Sequence, residues 1–164
     1  MKGTITRDMF DCIPEIDFNS GYRYFLGNMD NYSHALMSIL KSIKSKQALL
    51  LSMSNSGEYE GLRTIAQTLR KMLSNVGASG LAESTYQIET AVLNEDAPYL
   101  QEQLYPYIVG LVEFSEHLEM LLKNIDGKNS TKNEEEQSCF LNYDFTKTKE
   151  SIKLSSNLLE RKII

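Results

Sequence analysis

An all-α fold follows from three features of this 164-residue chain. Long segments repeat apolar residues every three to four positions, β-type alternation is missing, and there are only three prolines. Four of the segments are long and closely spaced. They predict an antiparallel four-helix bundle, with a short helix before it and an added helical segment after it.

The elements follow in order. Residues 1–15 read as a loose N-terminal lead, and "DFNSGYRYF" predicts a short helix over about 19–25. Gly27 and Asn28 break the chain before a long helix, about 29–54, striped with Met29, Tyr32, Leu36, Ile39, Ile43, Leu50 and Met53. Gly57 suits the left-handed position that ends it. The next helix, about 58–76, places Leu62, Ile65, Ala66, Leu69, Leu73 and Val76 on one side and stops at Gly77. A fourth, about 79–94, carries Leu81, Thr85, Ile88 and Val92, with Ser79 as its expected N-cap. Asp96 caps the fifth, about 97–124, whose stripe runs through Leu100, Leu104, Ile108, Leu111, Phe114 or Ser115, Leu118 and Leu122. Pro106 lies inside that helix and is expected to bend it, since it lacks an N–H and crowds the preceding turn. Tyr105 and Tyr107 beside it read as packing residues. The bundle spans 16–126, a polar linker 127–137, and a C-terminal helical hairpin or tail 138–164.

Composition narrows the function. A net charge of −5 and a pI near 5.1 argue against general nucleic-acid binding. The most apolar stretch, "LYPYIVGLV", is about half of what a spanning helix needs, so membrane insertion is not expected. The N-terminal residues lack the apolar core of a signal peptide. Cys12 and Cys139 show neither metal-ligand nor redox spacing and read as reduced thiols of a cytoplasmic protein.

The third helix carries the residues that stand out. Gln67 points away from the apolar stripe, and its neighbours one turn away are Arg63, Arg70 and Lys71, with Ser74 one turn further. Like charges this close repel, each pair costing on the order of 0.2–0.5 kcal/mol. As a solvated face the cluster would mean nothing; as a functional one it is a docking patch for an acidic partner.

The segment "AQTLRKMLSNVGA" resembles the signature of histidine-containing phosphotransfer (HPt) domains, Ala-His-x-Leu-Lys-Gly followed after five residues by Gly-Ala. Ala66, Leu69, Arg70, Gly77 and Ala78 fall in register with it. "IDFNSGYRYFLGNMDNYSHALMSIL" and "LAESTYQIETAVLNEDAPYLQEQL" resemble the flanking helices of that family, and "NYDFTKTKESIKLSSNLLE" a tail of some bacterial members. The resemblance implies a cytoplasmic module of a bacterial two-component phosphorelay whose partner is a response-regulator receiver domain, with a carboxylate cluster and its own Mg2+. It also implies a histidine as phosphate carrier, and here the sequence departs. Position 67 is glutamine, whose amide nitrogen is delocalised and is no useful nucleophile, and Lys71 stands where the family keeps a glycine for clearance. What the resemblance then implies is a pseudo-HPt: a bundle that docks a receiver through Arg63, Gln67, Arg70, Lys71 and Ser74 but transfers no phosphate. No cofactor or metal is expected.

Two other readings stand beside it. His34 or His117 could act as a carrier, although neither has basic and small residues one turn on; both read as surface histidines. The glutamates around His117 have no complementary cluster to complete a metal site. The bundle and C-terminal hairpin could instead form a homodimer or scaffold.

Overall fold

The structure, a computed structural model, describes residues 5–127. Five α-helices run in sequence: α1 (Phe18–Tyr24), α2 (Met29–Ser56), α3 (Tyr59–Asn75), α4 (Ser79–Leu93) and α5 (Ala97–Gly127), after a 3-10 helix at Arg7–Cys12. No strand occurs among the described residues. Helices α2 to α5 close a ring in which α2 packs on α3, α3 on α4, α4 on α5, and α5 back on α2. This is the antiparallel, bundle-like arrangement that short loops dictate. The expected linker beyond 127 and the hairpin at 138–164 lie outside the described residues.

The apolar stripes meet in one core. Tyr32, Leu36, Ile39, Ile43 and Leu50 of α2 are buried, as are Leu62, Ile65, Ala66, Leu69 and Leu73 of α3. On α5 both Phe114 and Ser115 are buried; Ser115 Oγ donates to the Val112 carbonyl at 2.7 Å, which removes the penalty for a hydroxyl inside the core. The inward positions of α4 and α5 differ slightly from the predicted ones, with Ala82 buried in place of Leu81 and Leu121 in place of Leu122. Helix α5 continues through Pro106. Next to it Tyr107 is buried and its hydroxyl lies 2.7 Å from Thr85 Oγ1, the polar contact that joins α5 to α4 inside the core. Burial pushes the Tyr107 hydroxyl up to about 12, against the opposing effect of the Thr85 hydrogen bond.

The helix ends follow local chemistry. Asn28 Oδ1 accepts from the Asn31 N–H, and Asp96 Oδ1 from the Tyr99 N–H. Gly57 adopts the left-handed conformation at φ 75°. Ser79 is not the cap of α4 but its first residue; Ala78 precedes it and offers no side-chain hydrogen bond.

The N-terminal residues are tightly placed, in contrast to the loose lead expected of them. Ile5, Phe10 and Ile13 are buried, and Phe10 stacks on Tyr32 at 5.6 Å between centroids. Asp17 caps α1, taking hydrogen bonds from the Asn19 and Ser20 N–H groups and the Ser20 hydroxyl. Those bonds, the Ser20 hydroxyl first, hold its carboxyl below the ordinary carboxylate value. Helix α1 is seated on the α3–α4 turn: the Asp17 N–H donates to the Gly77 carbonyl at 2.9 Å, and the Tyr32 hydroxyl to the Val76 carbonyl at 2.9 Å. A Cβ on Gly77 would overlap the Asp17 carbonyl oxygen, and one on Gly21 would overlap that of Val76. Cys12 is disulfide-bonded, which corrects the reduced thiol expected for it; Cys139 lies outside the described residues.

Candidate docking face on helix α3

Helix α3 keeps its apolar residues inside and turns a mixed, largely basic edge toward α4. Gln67 is half-buried at this edge, with Arg63 and Lys71 exposed one turn before and after it. Its carboxamide donates through Nε2 to Glu89 Oε1 of α4 at 3.0 Å. The other oxygen of Glu89 accepts from Arg70 Nε at 2.8 Å, and the Arg70 guanidinium lies over the Tyr86 ring, 5.6 Å from its centroid. Glu89 is only 12% exposed and Arg70 36%, so this ion pair is better shielded from solvent than an ordinary surface pair.

The structure therefore separates the three cations that the sequence groups together. Arg70 is tied to α4, whereas Arg63 and Lys71 have no ion pair among the described residues. Beside Lys71 runs an open groove of about 520 Å³, lined by Arg70, Lys71, Ser74 and Asn75 of α3 and by Ser79, Glu83 and Tyr86 of α4, among others. Ser74 is exposed at its edge. Gly77 and Ala78 are buried in the turn that sets the angle between α3 and α4, and Ala66 and Leu69 lie in the core beneath the face.

Glu89 and Tyr86 are the residues that sequence reasoning missed. The inward stripe Thr85, Ile88 and Val92 puts Glu89 at the margin of α4. Nothing in a helical repeat says which neighbouring helix that margin meets.

His34 is exposed on α2, as expected. His117 is not the surface histidine expected: its side chain is 16% exposed, and Nδ1 lies 2.9 Å from Glu15 Oε1. The bond to Glu15 raises the imidazole above its ordinary value of 6.5, burial opposes the shift, and Glu15, Glu113 and Glu116 add to it through their charge. Glu119 is engaged elsewhere, with Lys44 at 2.7 Å and Lys123 at 3.1 Å. No group of three or more His, Cys, Asp or Glu side chains among the described residues gathers in a metal-binding arrangement.

The Glu15–His117 pair has a pH signature. Because the folded state holds His117 protonated more firmly than the unfolded chain does, its contribution is complete below about pH 6.5 and is lost as pH rises through the raised value. Changing Glu15 to Gln is accordingly expected to lower the urea midpoint most at about pH 5.5 and progressively less toward about pH 8. A deficit that does not vary with pH would show that His117 is not the titrating partner.

No helix of the described residues is long and apolar enough to cross a membrane. Comparison of the chain with protein-family models, curated proteins and solved structures finds no match.

Proposed function

We propose that this chain is a non-catalytic signalling module of the HPt type, which docks a response-regulator receiver domain through the α3 edge and carries no phosphate itself. The observation that supports the reading best is the placement of Arg63 and Lys71. Both stand exposed, one turn on either side of the half-buried Gln67, on an otherwise acidic protein. An acidic partner surface fits such a face, and its charge would act on encounter rate and orientation more than on final affinity. Any Mg2+ at the interface belongs to the receiver. Gln67 offers a hydrogen-bonding amide where a carrier would need a nucleophilic imidazole.

The test is titration of receiver domains against the wild type and an Arg63→Glu/Lys71→Glu variant. Both side chains are exposed, so the variant should keep its fold. Its affinity is expected to drop about tenfold at low ionic strength, mainly through slower association, and the gap should narrow as salt is added. Equal binding by both proteins would remove the α3 edge from the interface. Incubation with a phosphorylated receiver is expected to leave this chain unlabelled; acid-labile label would instead assign a carrier role to His34 or His117.

A further inference from the structure

Glu89 lies beneath a face on which Arg63, Arg70 and Lys71 outnumber one exposed carboxylate, Glu83 at the rim of the groove, and each of its two oxygens accepts a hydrogen bond from α3. One accepts from Gln67 Nε2 and the other from Arg70 Nε. A carboxylate held by a guanidinium has no proton to give, so Gln67 can meet it only through its –NH2 end. The carbonyl end must then face the opposite way. Gln67 Oε1 has no hydrogen bond among the described residues, yet it is not one of the buried, unpaired side-chain atoms, so it is open to solvent.

Arg70 is fixed by the same carboxylate. Its Nε is occupied and its Cζ lies over the Tyr86 ring, its two Nη groups make no hydrogen bond among the described residues, and the residue borders the groove. A pattern results. An acceptor oxygen stands in the middle of the face, and N–H donors from Arg63, Arg70 and Lys71 stand around it.

We infer that Glu89 is a positioning residue that locks the Gln67 carboxamide with its oxygen outward, so that the partner of this face must bring an N–H or O–H donor ringed by carboxylates. The partner chemistry rests on the docking reading above; the orientation of Gln67 does not. A partner with carboxylates alone would satisfy the cationic rim and place an acceptor against an acceptor at the centre. Such a mismatch in a desolvated contact is penalised more heavily than a missing bond. Glu89 thereby sets specificity from beneath the surface without touching the partner.

Two measurements separate these points. In the full-length protein alone, the two carboxamide protons of Gln67 are expected to resonate much further apart than those of the exposed Gln101, and to converge in Glu89→Ala. Gln67 resonances that match those of Gln101 in the wild type would overturn the locked orientation.

In receiver titrations, Gln67→Met, which removes the acceptor at similar length, is expected to weaken binding about tenfold, the scale of one hydrogen bond at an interface centre. The exchange variant Gln67→Glu/Glu89→Gln keeps a bond between the two helices with its direction reversed. It also keeps an oxygen outward at position 67 but carries the negative charge toward the surface, so the comparison is made at high ionic strength, where it should bind clearly better than Gln67→Met. If the exchange variant loses as much as Gln67→Met, the partner reads an N–H at this position and the inferred chemistry is wrong. If the wild type binds no receiver, the docking reading fails and the partner chemistry with it, while the resonances still decide the orientation.

Discussion

Replacing Gly77 with alanine is expected to destabilise the protein by about 3 kcal/mol, lowering Tm by roughly 10 °C. Two penalties combine. Gly77 has φ of 89°, a conformation that costs residues with a Cβ about 1–3 kcal/mol. The new methyl would also overlap the Asp17 carbonyl oxygen and stand 3.0 Å from the Gly21 nitrogen. Those are backbone atoms, which cannot rotate aside, so α1 would have to lift from the α3–α4 turn. Gly57 supplies the control. It has a similar φ of 75° but nothing within 4 Å of where a methyl group would stand, so Gly57→Ala should show the conformational penalty alone, about 1 kcal/mol. Calorimetric melts of the two variants measure the difference. Equal losses would mean that α1 is not seated on Gly77.

Truncating Tyr32 to alanine is expected to have an effect of the same order or larger, about 3–5 kcal/mol. This ring is fully buried and lies within 6 Å, centroid to centroid, of Phe10, Phe18 and Phe25. It joins the N-terminal segment, α1 and the α1–α2 turn to the head of α2. Its hydroxyl reaches the Val76 carbonyl, and burial raises the hydroxyl well above the usual tyrosine range, so it stays a donor throughout the working range of pH. Tyr32→Phe isolates that bond and should cost about 1 kcal/mol. Chemical denaturation of the two variants divides the total between ring and hydroxyl. A Tyr32→Phe loss close to that of Tyr32→Ala would mean that the hydrogen bond, not the aromatic packing, holds the segment. Because Tyr32 and Gly77 secure the same turn, losses in a double variant should fall short of their sum.

Much of this architecture is legible in the sequence, for identifiable reasons. Helical periodicity locates α2 to α5 to within a few residues, because each buries a stripe of apolar residues and because Gly27, Gly57, Gly77 and Asp96 mark the breaks. Periodicity cannot show that Phe10 and Ile13 belong to the core, since a six-residue 3-10 helix is too short to display a repeat. Tyr107 packs as its place beside a proline suggests, but its bond to Thr85 links positions 22 residues apart and has no local trace. The candidate face shows the same division. Gln67, Arg63, Arg70 and Lys71 share one helix, so the sequence displays them together. Glu89, which divides the cations into one bound and two exposed, comes from a neighbouring helix and enters only through packing. The burial of His117 escapes a local reading for a related reason: its partner, Glu15, lies 102 residues away.

The Thr85–Tyr107 bond bears on more than the local core. The inner face of α4 sets the small Ala82 and Ala91 beside Ile88 and Val92, and apolar contacts of this kind are non-directional. A directional bond between two buried hydroxyls resists rotation of α4 about its own axis, because turning the helix would strand the buried Tyr107 hydroxyl, while Thr85 would keep only its bond to the Leu81 carbonyl of its own helix. Glu89 is four positions beyond Thr85, a little over one full turn, and so inherits the angular setting that Thr85 enforces. A neutral contact deep in the bundle thus works as a detent for a charged one at the rim, and loosening it would blur the charge pattern of the α3 edge without altering any residue on that edge.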